Sequence, residues 1–521
     1  MAITTSQRRP PPRRPSAAAP TALAVALAVA LAAPPRAGAA DWSVVPALRL
    51  SEGYTDNVLL APAPQAKDDF ITEISPSVVV RGRSQRLRVD LAYRLQQLFY
   101  TRRGDRTEHQ LQGDANAELL EDWLFLDLRA SVGQNRLSAF GPQPLNNVAA
   151  DTNQSTVRAG RVSPYLRHQV RGVGSAELRY AHERVGNGSE LLTVATDELL
   201  LDLVGDTGAG GLGWEAHLDR RETSARQRET VRMDKATLSL RYHLSSRVGL
   251  FASAGHEDAG YRPAGGAASS GGFWLLGASW YPSARSSVAL SGGKRFFGNT
   301  YALDLNHRSR HTSWSLGYHE DISSTPSEWL RLSDSATASM LNQLWRGAIP
   351  DPQLRQQRVD SFVRFSQLLG PDAGAVNYFS QRYFLQRRAA LAMASATAKS
   401  TLVLGLTATR RSAQSSGGID SALLPAIDFA LEERTRQVAA NAGWNWRLSA
   451  RSNVNVSAAY ATVTSLNVGR KDSNAALSVG LSRQLQRKVS GTLELRRVRH
   501  ASNRGGDYRE NAINASLNFL L

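Results

Sequence analysis

No cysteine occurs in the 521 residues, which removes thiolate metal sites, disulfide scaffolds and cysteine-linked lipid anchors. Aromatic residues make up only 7% of the chain, against 41 glycines, a poor supply for a conventional apolar core. Past the first forty residues no apolar run approaches the roughly 18 needed for a membrane helix, so helical insertion is excluded. The chain also has no His-Glu-x-x-His, no Gly-x-Ser-x-Gly and no Ser/His pair that neighbouring hairpins would bring together. No catalytic, metal or cofactor-binding residue is therefore expected, and the protein reads as a non-enzyme. A soluble all-β protein, a repeat protein and a membrane barrel remain.

The first residues carry an address rather than a fold. Arg8, Arg9, Arg13 and Arg14 precede an apolar stretch from Ala22 to Ala33, and Ala37-Gly38-Ala39 offers small residues for cleavage. The spacing predicts a signal peptide over 1–39, with the remaining domain over 40–521. Its apolar stretch, about a dozen residues, is too short to span a bilayer. Pro10-Pro11-Pro12 stands where a twin-arginine signal wants an apolar pair, so export through the Sec pathway is expected. The net charge is +17 overall and +12 without the five leader arginines. For an exported chain this points away from nucleic acid, toward lipopolysaccharide or another anionic polysaccharide, or simply to Arg-rich loops and turns.

What the chain has in abundance is alternation. In Arg86–Tyr100, Leu87, Val89, Leu91, Tyr93, Leu95 and Phe99 oppose Arg86, Arg88, Asp90, Arg94 and Gln96. Leu111 to Leu119, Leu124 to Val132, Trp274/Leu276/Ala278/Trp280 and Val438 to Leu448 repeat the pattern. So does the final run, where Ile513, Ala515, Leu517, Phe519 and Leu521 alternate with Asn514, Ser516 and Asn518. A period of two is a strand with one apolar face. The opposite face is dense in Asn, Ser, Thr, Gly and paired charges, as a wet lumen would be, and several apolar stripes end in Trp or Tyr, as an interfacial girdle would. Strands of about 11 to 15 residues suit a tilted membrane crossing better than a soluble sheet.

Connections alternate in length as barrel topology requires. Tight links are read at Gly82–Gln85, Glu121-Asp122, His168–Gly172, Ser245–Arg247, Pro282–Ser286, Thr397–Ser400, Ser449–Ser452 and Leu485–Lys488. Longer ones are read at Asp56–Asp69, Leu137–Asn153, Arg221–Val231, Asp258–Ser270, Thr325–Asn377 and Ser412–Leu431. The expected fold is all-β: a transmembrane antiparallel up-and-down β-barrel of about 22 strands, within a range of 18 to 24. One long extracellular loop, 325–377, contains helical spacing in Ser333–Trp345 and Gln353–Leu369; it is expected either to constrict or cap the lumen or to stand as a helical hairpin on the surface.

Three further features bear on chemistry. Gly208-Ala-Gly210-Gly-Leu-Gly213 matches a dinucleotide fingerprint in letters, but a strand follows where a helix is required, so it reads as a turn. The pairs His182-Glu183, His256-Glu257 and His319-Glu320 lack metal-ligand spacing and read as rim charges. If Glu121-Asp122 is a two-residue turn, Leu120 faces Trp123, Asp114 faces Arg129 and Asn116 faces Asp127. The longer link Arg102–Arg106 then brings Arg94 close to Asp114, giving an expected lumenal ladder Arg94–Asp114–Arg129 that stiffens the wall or tunes selectivity. Inward Asp90, Glu118, Glu177, Glu215 and Glu494 are expected to offset Arg88, Arg179, Arg241, Arg447 and Arg496.

Two blocks, Tyr54-Thr55-Asp56-Asn57 with Ile71-Thr72-Glu73-Ile74-Ser75-Pro76, and Ala117 to Asp127 with Arg129-Ala130-Ser131, carry a family likeness, as do Ala348 to Asp360 and Val376-Asn377-Tyr378-Phe379. Together they resemble the outer-membrane proteins associated with PEP-CTERM/exosortase systems. The terminal Leu521 departs from the aromatic end usual in such barrels, which shifts recognition by the barrel-assembly machinery toward Phe519. The resemblance implies residence in the bacterial outer membrane and the company of exopolysaccharide and PEP-CTERM protein export. It brings no catalytic residues. The expected partners are outer-membrane lipid and lipopolysaccharide, the barrel-assembly machinery, and exopolysaccharide or export components. A porin-like diffusion channel and a structural envelope protein with a plugged lumen stay open as alternatives.

Overall fold

The computed structural model describes residues 41–136, 138–150, 153–170, 172, 174–187, 193–206, 211–225, 229–261, 263, 268–324, 382–415, 430–431 and 433–521. The leader expected over 1–39 and the loop 325–377 lie outside the described residues. Twenty-two strands run in chain order: β1 (Asp41–Thr55), β2 (Asp69–Arg83), β3 (Leu87–Tyr100), β4 (Arg106–Leu120), β5 (Leu124–Arg136), β6 (Gln154–Val170), β7 (Gly174–Gly186), β8 (Val194–Asp206), β9 (Leu212–Ala225), β10 (Val231–His243) and β11 (Val248–Asp258). They continue as β12 (Ser270–Ser283), β13 (Ser286–Arg295), β14 (Gly298–Arg308), β15 (Thr312–Ser324), β16 (Tyr383–Ala396), β17 (Ser400–Ala413), β18 (Arg434–Arg447), β19 (Ser452–Ser465), β20 (Lys471–Gln486), β21 (Val489–Ser502) and β22 (Tyr508–Leu520). Each pairs antiparallel with its sequence neighbours, and β1 pairs with β22, closing a 22-stranded barrel.

Closure leaves the two faces with opposite solvents. On β12, Trp274, Leu276 and Trp280 point outward and are 51%, 57% and 53% exposed. On the lumenal side Ser163, Ser465 and Asp472 are fully buried. A soluble sandwich would hide the first set and expose the second. With lipid against the outer face, each large side chain contributes roughly 1.5–3 kcal/mol by leaving water.

Tight links gather at one end of the barrel, where 84–86, 121–123, 284–285, 309–311 and 487–488 join strands. The opposite end carries the longer ones, and barrels of this kind turn that end outward. One short link breaks the rhythm: Phe296-Phe297 joins β13 to β14 at the loop end, with Gly298 at φ 117°. Alternation also underestimates strand length there, since β9 runs on to Ala225 rather than ending near Arg221.

The turn after β4 differs from the two-residue expectation. Glu121, Asp122 and Trp123 form it, with Asp122 at φ 61° and the Trp123 amide donating to the Leu120 carbonyl at 3.1 Å. Leu120 pairs with Leu124 rather than Trp123, and an irregularity between Glu118 and Leu120 absorbs the extra residue. That bulge restores the expected register beyond it. Asp114 is opposite Arg129 and Asn116 opposite Asp127, whose side chains share a 2.7 Å hydrogen bond.

Candidate functional site

Registers assign every strand residue to a face. Lumenal positions of β5 to β9 hold a charged sector: Arg161 contacts Glu183 and lies 2.9 Å from Glu198, which also contacts Arg221, 3.8 Å from Asp219. Nearer the turn end, Arg179 reaches Asp127 at 2.7 Å and Glu177 at 2.9 Å and stacks over the Tyr165 ring. Arg295 similarly bridges Glu257 and Asp321 at 2.6 and 2.9 Å. Each cation sits between carboxylates, so the wall is charged without a strong net field.

The inner wall of β18 to β22 and β1 is different in kind. Asn445 faces Asn455, Asn453 faces Ser482, Thr492 faces Ser516, and Ser516 faces Ser51 in successive registers. The result is a sector of amides and hydroxyls running from strand to strand around the inner wall toward the turn end. Oδ1 of Asn445, Oδ1 of Asn453 and Oγ of Ser516 are buried there without a hydrogen-bond partner among the described residues. Buried polar atoms left in this state want a ligand or water.

The loop end narrows because links fold inward. Asn57 organises residues 56–68: its amide donates to the Ala61 and Arg509 carbonyls at 2.7 and 2.9 Å, while its Oδ1 accepts from the Ala61 N–H. In 138–153, Asn153 donates to the carbonyls of Ser138 and Pro142 at 3.1 and 2.8 Å. The two segments join where the Ala150 amide donates to the Val58 carbonyl at 2.9 Å. Val58 packs on Ile71, Leu98 and Tyr100, and Leu60 on Ala439, Ala459, Ala461, Ala476 and Val498. Those small lumenal residues leave room for the segment. Ala259 and Tyr261 pack against Val231 and Tyr383 farther round the rim, with the two tyrosine rings stacked at 5.0 Å.

A polar latch fastens 138–153 to the wall. The Gly141 amide donates to the Asp472 carboxylate at 3.1 Å, and the Gln143 amide donates to the Tyr508 oxygen at 2.9 Å. Asp472 is held by Arg470 at 2.9 Å and accepts from the Ser502 hydroxyl at 2.6 Å, while His500 stacks on Tyr508. Replacing Tyr508 by Phe strands one buried amide, at a cost of about 1–2 kcal/mol. Hydrogen exchange at Gln143 should accelerate roughly tenfold, leaving mid-strand amides of β20 unchanged.

Of the expected ladder, Asp114 and Arg129 are direct cross-strand partners. Arg94 is opposite Gln110, whereas Asp90 is opposite Asp114, so Arg94 stands four positions along β3 from Asp114's own partner. The five offsetting acids all share the lumenal face with their arginines; Arg88 meets Asp90 at 3.0 Å and Arg241 meets Glu215 at 3.5 Å, while Arg496 bonds Glu510 at 2.8 Å. The His-Glu pairs separate: His182 meets Asp197 on the outer face, Glu257 turns inward to Arg295, and His319 meets Asp304. Gly213 lies in β9, a strand. The infolded links were legible only as long connections; their apolar runs, Val58-Leu59-Leu60 and Ala139-Phe140, were the available signal.

Fold and lumen together define a hydrophilic barrel of the outer-membrane type. No family model and no curated protein matches the sequence. Among solved structures the chain is similar to the FrpB iron transporter of Neisseria meningitidis (F5-1 variant), at 10% identity and TM-score 0.49, over 92% of this chain and 81% of that one. It is also similar to the siderophore receptor PirA of Pseudomonas aeruginosa, at 8% identity and TM-score 0.45, over 92% and 80%. OccK8 (OprE) of the same organism matches at 10% identity and TM-score 0.33, over 92% and 98%.

Proposed function

We propose that this chain is a non-enzymatic outer-membrane conduit that serves the export or surface assembly of exopolysaccharide and PEP-CTERM proteins. The carrying observation is the lumenal amide and hydroxyl sector of β18 to β22, which runs beneath the infolded mouth. Neutral donors and acceptors suit a hydrated, polyhydroxylated chain, because they exchange hydrogen bonds with it without fixing it by charge. The resemblance of the Tyr54–Asn57 and Ala117–Asp127 blocks supports the genomic setting. Deleting the gene should reduce both surface polysaccharide and PEP-CTERM protein display; unchanged levels of both sink the reading.

A porin-like channel is the second reading, favoured by the balanced charges on the wall. In planar bilayers the intact barrel should conduct weakly, and removing 138–150 should raise conductance several-fold by clearing the mouth. A barrel still closed after that deletion would instead select the plugged structural protein.

A further inference from the structure

The outer face carries a basic row that the transport reading does not use. Arg387 of β16 is directly opposite Arg410 of β17, which is directly opposite Arg436 of β18. Lys471, Arg499 and Arg509 continue the basic surface across β20 to β22, the last two as another opposed pair. All six are exposed and point outward at the loop end of the barrel.

Like charges directly opposed across strands destabilise a sheet. Elsewhere on this rim the protein supplies its own counter-charges: Arg220 and Arg232 both bind Asp234, at 2.8 and 2.9 Å. In the basic row Glu320 lies 3.4 Å from Arg387. Among the described residues no carboxylate pairs with Arg410, Arg436, Lys471, Arg499 or Arg509. Among the described residues this row is left largely without counter-charge, which gives an anion from outside the chain a place to bind.

What lies below the row decides which anion. One register step toward the membrane stand Ala389, Ala408 and Val438; the next holds Leu391, Leu406 and Ala440. An apolar strip therefore lies directly under the row of arginines. Guanidinium forks bind phosphate oxygens two at a time, and small residues beneath leave space for several acyl chains side by side. A soluble polyanion would gain nothing from the strip.

We propose that the outer face of β16 to β18, extended by β20 to β22, is a binding site for a phosphorylated, multiply acylated glycolipid of the outer leaflet. Its phosphates bridge Arg387, Arg410 and Arg436, and its acyl chains lie on the alanine-rich strip. The site is separate from the lumen and requires no transport activity.

The test uses the full-length barrel in non-ionic detergent, with bound lipid read by native mass spectrometry. The probes are a bisphosphorylated, multiply acylated glucosamine disaccharide and its fully dephosphorylated form. Binding of the phosphorylated lipid should exceed that of the other roughly tenfold, and a variant with Arg387→Gln, Arg410→Gln and Arg436→Gln should lose a similar factor. A variant with Arg220→Gln and Arg232→Gln should bind as the unaltered protein does. Equal retention of both lipids by the unaltered barrel overturns the proposal, whether or not the triple variant folds. Full retention by the folded triple variant overturns it too, as does displacement of the lipid by tripolyphosphate at equal concentration, which would mark a site for a soluble anion.

Discussion

Replacing Glu198 by Ala should lower the unfolding free energy by about 3 kcal/mol, read as a shifted denaturant midpoint in lipid vesicles. Glu198 sits between Arg161, at 2.9 Å, and Arg221, which it also contacts, with only 6% of its side chain exposed. Truncation leaves two guanidinium groups facing each other across β6 to β9, with Glu183 and Asp219 as the remaining nearby acids. The loss exceeds that of a surface pair because the partners stay half-buried and newly repel one another. Glu198→Gln should cost less, since an amide oxygen still accepts one of the hydrogen bonds. If both variants unfold with the parent, the charged sector is merely solvated decoration.

The second large effect concerns the outer surface. Leu276 lies midway along β12, pointing outward. Leu276→Arg should destabilise the barrel in lipid by about 2–4 kcal/mol, the cost of a cation near the bilayer midplane. Arginine at Ala302, a lumenal position of β14 opposite Ser291, should cost under about 1 kcal/mol, because that side is wet. An equal penalty at the two sites would mean that the outer face does not meet hydrocarbon.

Strand number, the alternation of links and the faces of the alternating segments were legible in the sequence, because a period of two in side-chain polarity records two solvents directly. The Asp114–Arg129 register was legible for a subtler reason: the bulge beside Leu120 cancels the extra residue in the turn, so a mistaken turn still yields correct pairing beyond it. Arg94 shows the opposite case. Its neighbour depends on how strands meet across 101–105, and hydrophobic pattern fixes the parity of such pairing without fixing its offset. The infolded mouth was hidden because its contacts join Gly141 to Asp472 and Gln143 to Tyr508. No local rule links positions so distant, and Asn57 or Asn153 looks like any other loop asparagine until its partners are known.

The ring is completed where Asn511 bonds Asp56, 455 residues away along the chain. β2 follows β1 over the whole stretch from Asp41 to Thr55, whereas the ladder to β22 covers only Ala47 to Thr55. Until that shorter seam zips, the growing sheet keeps two raw margins, each a template for stray polypeptide. The opening strand therefore keeps one margin unpaired while twenty others are laid down, and the barrel is sealed only by its last strand.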